Sequence, residues 1–105
     1  MYSIPERNSA AFQKRLKSAA GDLIDSVNDA LDAICKNPTS PGKLYKVEDL
    51  NDTNRALQIY VPVYRITIVS SRFKLIVRVD HYATRIHVLE MRRDWLPDFL
   101  KFAPT

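Results

Sequence analysis

The spacing of apolar residues changes along this chain, and that change most restricts the folds it can adopt. Before residue 37, apolar side chains recur every three or four residues, as on one face of a helix. After residue 56 they alternate with polar ones, as on the two faces of a β-strand. Helices followed by strands predict an α+β fold, with an N-terminal helical hairpin packed on one face of a small antiparallel sheet of three to five strands.

The helical half is predicted to contain two helices separated by a break at Gly21. Ser9 has the side chain of an N-cap for the first helix, and Asp22 that of an N-cap for the second. Asn37-Pro38 predicts the end of the second helix, because the residue before a proline avoids the helical conformation. The two apolar stripes are Phe12 and Leu16, then Leu23, Val27, Ala30, Leu31 and Ile34.

The strand half is predicted to form an antiparallel meander. A change of parity at Pro62-Val63 predicts a bulge or a tight turn there, since opposite parities face opposite sides of a sheet. Tyr2-Ser3-Ile4 is a candidate edge strand. The predicted strand faces are Leu57, Ile59 and Val61; Tyr64, Ile66 and Ile68; Phe73, Leu75, Val77 and Val79; and Ile86, Val88 and Glu90 opposite Arg85, His87, Leu89 and Met91.

Length and composition set the class of protein. A chain of 105 residues with 46% hydrophobic content predicts a single domain over residues 1–105. No apolar run approaches the roughly 20 residues that span a bilayer, and the N-terminus lacks the layout of a signal peptide. We therefore expect a cytoplasmic protein with no membrane partner.

With one cysteine, two histidines and two glycines, no metal, cofactor or small-molecule substrate is expected.

Charge is distributed unevenly along the chain. Residues 22–52 contain seven acids and three bases, a net charge of −4, whereas residues 64–93 contain seven bases and two acids, a net charge of +5. A polyanion or an acidic protein is therefore the natural partner of the second half. The alternative is a solvated sheet whose basic residues protect an edge. The seven bases are Arg65, Arg72, Lys74, Arg78, Arg85, Arg92 and Arg93.

Aromatic residues are interspersed with these bases, a pattern compatible with base stacking on RNA. Tyr60, Tyr64, Phe73 and Tyr82 are the residues concerned, and the alternative for Tyr64 and Phe73 is burial in the core. Alternation predicts that Arg65, Lys74 and Arg78 share the face that the helices leave open. The residues predicted to bind nucleic acid are Arg72, Arg78, His81, Tyr82 and Arg85.

The order of these elements resembles that of the RelE/ParE toxins of type II toxin–antitoxin systems. The resemblance lies in a short first strand, a helical hairpin closed by Asn-Pro, the Lys43-Leu44 dipeptide, the YRITI and RFKLIV strands, and a last strand ending in MRRD. It implies a cognate antitoxin as partner and one of two activities. RelE-like members are metal-independent endonucleases that cut mRNA on the ribosome, whereas ParE-like members poison DNA gyrase.

The resemblance also implies which residues surround the scissile phosphate of an RNA. Arg65 occupies the second position of YRITI, and Lys74 follows the aromatic of the next strand. Arg92 or Arg93 matches the arginine that ends the last strand. These four residues are the predicted catalytic set of an endoribonuclease.

The sequence departs from the family pattern in two segments, the YRITI strand and the C-terminal tail. Thr67 stands where a second base is usual in the YRITI strand, and Trp95 and Phe99 stand where many family nucleases have a Tyr or His. The group that transfers the proton is then open: His81, Tyr82 and His87 are candidates from elsewhere in the chain, and the alternative for either histidine is a structural or surface role. A second alignment, in which LQIYV replaces YRITI and Arg65 follows the aromatic, stays open.

Three functions remain open from the sequence. The first is a ribosome-dependent mRNA endonuclease. The second is a ParE-like or degenerate toxin that binds a protein such as gyrase and cleaves nothing. The third is a basic RNA- or DNA-binding module outside the family. The C-terminal tail, with Trp95 and Phe99, is predicted to pack either beside the basic patch or on the helical hairpin.

Overall fold

Two helices precede four antiparallel strands in the computed structural model, which describes residues 1–50 and 62–93. The prediction of an α+β fold with helices on one face of an antiparallel sheet is therefore confirmed. The predicted strand at 57–61 and the tail residues Trp95 and Phe99 lie outside the described residues. The elements are α1 (Ala10–Ala20), a 3-10 turn (Gly21–Leu23), α2 (Ile24–Lys36), β1 (Tyr45–Asp49), β2 (Val63–Ile68), β3 (Phe73–Asp80) and β4 (Arg85–Arg93).

Local capping sets the ends of α1. Ser9 is its N-cap, and the Ser9 hydroxyl accepts a hydrogen bond from the backbone N–H of Phe12 at 3.1 Å. Gly21 follows its last residue with φ +53°, a backbone conformation that glycine adopts without steric cost. The predicted role of Asp22 as N-cap of α2 is wrong, because Asp22 lies inside the 3-10 turn and α2 begins two residues later, at Ile24.

The two helices fold back on each other as a hairpin. Arg7, just before α1, donates from Nη1 to Oδ1 of Asp32 in α2 at 2.7 Å. The backbone N–H of Tyr2 donates to the carbonyl of Cys35 at 2.8 Å. Since 25 residues separate Arg7 from Asp32, these contacts require the chain to reverse direction near Gly21.

The sheet has the strand order β1-β2-β3-β4, with every neighbouring pair antiparallel. Its core-facing side chains in β2 and β3 are the predicted ones, and all of them are buried. Strand β1 was not predicted, because only Tyr45 and Val47 give it an apolar face. The largest fully buried side chains are Phe12, Leu16, Val27, Leu31 and Ile34 from the helices and Ile66, Phe73, Leu75, Val77, Val79 and Ile86 from the sheet.

A β-bulge in β4 changes which side chains face the helices. Val77 pairs with Val88 and Ile76 pairs with Glu90, so Leu89 has no partner residue in β3. One extra residue inverts the parity of all that follow. The predicted β4 faces are therefore right at Val88 and wrong beyond it, because Met91 packs against the core and Glu90 points to the other side.

The N-terminal segment lies along the outer edge of β4. Ser3 forms a parallel bridge with Arg85, in which Ser3 N–H donates to the carbonyl of Thr84 at 3.0 Å and Ile86 N–H donates to the carbonyl of Ser3 at 2.8 Å. The candidate edge strand is thus one bridge long. It covers only the first part of the β4 edge.

Candidate nucleic-acid interface

The face of the sheet opposite the helices, called the open face below, displays most of the basic residues of the strands. Register and alternation assign ten charged or titratable side chains to it. They are the cations Lys46, Arg65, Lys74, Arg78, Arg85 and Arg92, the acids Glu48, Asp80 and Glu90, and the imidazole of His87. Six cations against three acids leave a net charge of +3 with histidine neutral. The prediction that Arg65, Lys74 and Arg78 share this face agrees with the register.

Three cations line up across the sheet at one end of the open face. Lys46 pairs with Thr67, Thr67 with Lys74, and Lys74 with Arg92. We call Lys46, Lys74 and Arg92 the basic row. Because neighbouring strands lie about 4.8 Å apart, the row spans about 14 Å from β1 to β4. Spaced cations of this kind match the phosphates of a nucleic acid backbone.

Lys46 lies opposite Thr67, the position where the resemblance to RelE/ParE toxins implies a base. The two residues are direct cross-strand partners in β1 and β2. Sequence reasoning missed Lys46 because it missed β1. The signal that was available is the alternation of apolar and charged residues in YKVED.

Arg65 is held by a carboxylate of the same face. Its Nη2 donates to Oε2 of Glu48, its cross-strand partner in β1. This hydrogen bond lowers the pKa of Glu48, against a smaller opposing effect of burial. The Arg65 Nε is buried and has no hydrogen-bond partner among the described residues. Arg65 is thus a paired, half-buried cation, and Glu48 is a site residue that sequence reasoning did not find.

The bulge separates the two arginines that end β4. Arg92 lies on the open face beside Lys74, and its Nη1 is 3.6 Å from Oε1 of Glu90. Arg93 points toward the helices, where its Nη1 donates to Oδ1 of Asp22 at 2.7 Å. Of the two candidates for a phosphate-binding arginine, only Arg92 shares a face with Arg65 and Lys74.

The opposite end of the open face contains Arg78 and Arg85, which form no ion pair with a described residue. Both side chains are exposed. Arg72 lies apart from them in the β2–β3 turn, with φ +60°. Asp80, the cross-strand partner of Arg85, lies at the same end of the open face without forming an ion pair with either Arg78 or Arg85.

Of the three candidate proton-transfer groups, His87 is the one on a strand of the open face. It is the cross-strand partner of Arg78, and its Nδ1 lies 3.7 Å from Oε2 of Glu6. His81 lies in the β3–β4 turn, where its Nδ1 is 2.8 Å from the hydroxyl of Tyr2. Tyr82 is in the same turn.

The aromatic residues divide between core and surface. Tyr64 and Phe73 are core residues, 8% and 0% exposed, so the alternative given for them is confirmed. Tyr82 is fully exposed, and Tyr60 lies outside the described residues.

Burial raises the pKa of the Cys35 thiol, which keeps it protonated and poorly nucleophilic.

Within residues 1–50 and 62–93, no cluster of three or more His, Cys, Asp or Glu side chains is arranged to hold a metal ion. No helix in these same ranges has the length and apolar character needed to cross a membrane.

Comparison of the chain with protein-family models, with curated proteins and with solved structures returns no match. The resemblance to RelE/ParE toxins therefore stays a prediction drawn from the residues.

Proposed function

We propose that this chain is the toxin of a type II toxin–antitoxin system and that its open face binds and cuts mRNA on the ribosome. The observation that carries the proposal is the basic row, in which four adjacent strands bring Lys46, Lys74 and Arg92 into one line. The helices cover the other face of the sheet, so the row is displayed and does not serve the core. The resemblance supplies the class of protein.

The first step of the proposed activity is binding of the RNA backbone. Each ammonium or guanidinium that meets a phosphate releases counterions, so affinity falls as salt rises. Thr67, between Lys46 and Lys74, adds a hydroxyl that can donate to a phosphate oxygen. Glu48 accepts from the guanidinium of Arg65, and its Oε1 lies 3.7 Å from Nζ of Lys46, so RNA would compete with this carboxylate at both residues.

The second step is cleavage, in which the 2′-hydroxyl loses a proton and attacks the adjacent phosphorus while the 5′-oxygen leaves with a proton. His87 is the proposed proton-transfer group, because an imidazole both accepts and donates a proton. Its neighbour Arg78 stabilises the negative charge that develops on the phosphate. Oε2 of Glu6 lies 3.7 Å from His87 Nδ1, beyond hydrogen-bond distance, and the Glu6 carboxylate would stabilise the imidazolium that forms when His87 accepts the proton. The basic row then holds the adjoining nucleotides.

A specific observation favours a second candidate, a ParE-like toxin that binds a protein target such as gyrase without cleaving. Arg65, central to the nuclease resemblance, is tied to Glu48. His87 precedes Arg92 by five positions in β4, about 13 Å along the strand after allowing for the bulge. The predicted phosphate cations and the proton-transfer group are therefore not adjacent.

In both versions the partner is a cognate antitoxin with an acidic segment. The net charge of +3 on the open face would be neutralised by such a segment, which would also block access of RNA.

Inducible expression in cells, followed by toeprinting of translating ribosomes, tests the proposal. Wild type should arrest growth and produce cut mRNA, whereas Ala at all three positions of the basic row should do neither. A matched control replaces the exposed α1 residues Lys14, Arg15 and Lys17 by Ala. It removes the same charge from the helical side and should remain toxic.

The variant His87→Gln separates the two candidates. Arrested growth with no cut mRNA, in wild type and in this variant alike, supports the ParE-like function. Cut mRNA from wild type but not from His87→Gln supports the nuclease. Full toxicity of the basic-row variant would contradict both.

A further inference from the structure

We propose that Tyr82 is a stacking platform for one unpaired base of single-stranded RNA, with Arg78 and Arg85 binding the phosphates beside that base. This inference rests on the proposed function, because it adds a base contact at the β3–β4 turn to the RNA binding proposed for the open face. It adds a recognition element at the end of the sheet away from the basic row.

The first observation is exposure. Tyr82 is 101% exposed, and it is the aromatic member of the described set of exposed large apolar side chains. The others are Met1, Leu44, Leu50, Val69 and Leu89, all aliphatic or thioether side chains. Both faces of the Tyr82 ring are therefore free of the protein, and an aromatic face is what a nucleobase stacks on.

The second observation is that the turn carrying Tyr82 is held on both sides of it. Before Tyr82, the Tyr2 hydroxyl lies 2.8 Å from His81 Nδ1, and the two rings pack edge to face with centroids 5.8 Å apart. After Tyr82, the N–H of Ala83 donates to Oδ1 of Asp80 at 2.9 Å, and the carbonyl of Thr84 accepts from Ser3 N–H at 3.0 Å. A side chain on a fixed turn loses less entropy when it binds.

The third observation is backbone strain at the same turn. Thr84 has φ +53°, a left-handed conformation that a β-branched residue rarely adopts. Such strain persists only where surrounding contacts determine it, and it concentrates at binding sites. Here the surrounding contact is the bridge from Ser3 to Arg85.

The charges next to Tyr82 match a nucleotide backbone. Arg85 begins β4 three residues after Tyr82, and Arg78 lies two residues before the end of β3. The pairings of Asp80 with Arg85 and of Arg78 with His87 put the two arginines about 7 Å apart along the strands. Neither forms an ion pair with a described residue, so both guanidinium groups are available to phosphates.

These positions define a track along β3 and β4. A strand of RNA that stacks one base on Tyr82 would meet Arg85, then Arg78, and about 13 Å further along the strand Lys74 of the basic row. The track requires single-stranded RNA, because the bases of a duplex are stacked on one another and present no free face.

The test compares binding of labelled RNA by fluorescence anisotropy. The probes are a single-stranded RNA of about ten nucleotides, the same length of RNA with abasic ribose throughout, and a duplex. Tyr82→Ala should weaken binding of the base-containing single strand by about 5- to 150-fold, and should leave binding of the abasic strand and the duplex unchanged. Tyr82→Phe should bind as wild type does.

Two variants control for the loss of apolar surface. Tyr82→Leu keeps an apolar side chain without an aromatic face, so it should behave as Tyr82→Ala does. Leu89→Ala removes an exposed apolar side chain from the bulge and should bind all three probes as wild type does. Because Tyr82 is fully exposed, every Tyr82 variant should keep the wild-type melting curve.

The outcomes separate this inference from the proposed function. If Ala at the basic row abolishes binding while Tyr82→Ala binds every probe as wild type does, the stacking inference is wrong and RNA binding by the open face stands. Equal weakening of the abasic and base-containing strands by Tyr82→Ala also overturns stacking. If the wild-type chain binds no RNA, both proposals fail.

Discussion

Arg92 and Arg93 are neighbours in sequence whose substitution should have different effects, because the bulge at Leu89 turns them to opposite faces. Arg92→Ala removes one cation from the basic row. Loss of one phosphate contact should lower the slope of log affinity against log salt by about 0.7 for a single strand. Between about 50 and 200 mM salt, the affinity of this variant should therefore fall about 2.6-fold less than that of wild type.

Arg93→Ala should leave that slope unchanged and act on stability alone. It breaks the ion pair with Asp22, whose two side chains are 44% and 75% exposed. Such exposed pairs contribute about 0.2–1 kcal/mol to the free energy of unfolding. For a domain of this size, half a kcal/mol lowers the melting temperature by about 2–4 °C.

Anisotropy titrations of labelled single-stranded RNA at several salt concentrations, with melting curves by circular dichroism, measure both quantities. Asp22→Asn is the matched control, because it breaks the same ion pair from the helical side and should reproduce the effect of Arg93→Ala. If Arg93→Ala lowers the salt slope as much as Arg92→Ala does, the assignment of faces beyond the bulge is wrong.

Three further predictions concern the sheet. Leu75→Ala should lower the free energy of unfolding, measured by urea denaturation, by about 2–5 kcal/mol, because Leu75 is fully buried. Ile76→Ala, on the open face, should lower it by less. Equal losses would contradict the face assignment. The hydrogen bond from Arg65 lowers the pKa of Glu48 in the folded state below its value in the unfolded chain. The stability that Glu48 contributes is therefore fully present above the unfolded pKa, and it is lost as pH falls through the folded pKa. Glu48→Gln should accordingly have a lower melting temperature than wild type at about pH 7, and this difference should shrink as pH falls below the unfolded pKa of Glu48; a difference that does not change with pH would contradict this account. Deleting Leu89 should remove the bulge and keep the observed pairings of Glu90, Met91 and Arg92, because Val88 and Glu90 then become consecutive partners of Val77 and Ile76; an unfolded chain would show that the assignment of Leu89 as the extra residue is wrong.

Much of the architecture was predictable because it depends on residues close together in sequence. The cap at Ser9, the end of α1 at Gly21 and the end of α2 at Asn37 follow from side chains within one helical turn. The core faces of β2 and β3 follow from simple alternation over six and eight residues. These patterns were enough to predict the α+β arrangement and the face that displays Arg65, Lys74 and Arg78.

The candidate site was only partly predictable, because its composition depends on which strands become neighbours. Lys46 joins the basic row, and Glu48 pairs with Arg65, only because β1 lies beside β2. No local pattern in either strand identifies the other as its neighbour, since that pairing is decided by burial of the whole sheet against the helices.

The sequence by itself determined where the chain forms helices and strands and which face of β2 and β3 is apolar, since those properties depend on local spacing. Only the tertiary structure decided that Arg92 faces the open side and Arg93 faces Asp22. The reason is that a bulge occurs where the alternation in β4 must be reconciled with β3 and α1 together. Without the bulge at Leu89, simple alternation after Val88 would turn Glu90 toward the core. With it, Met91 packs against the core instead.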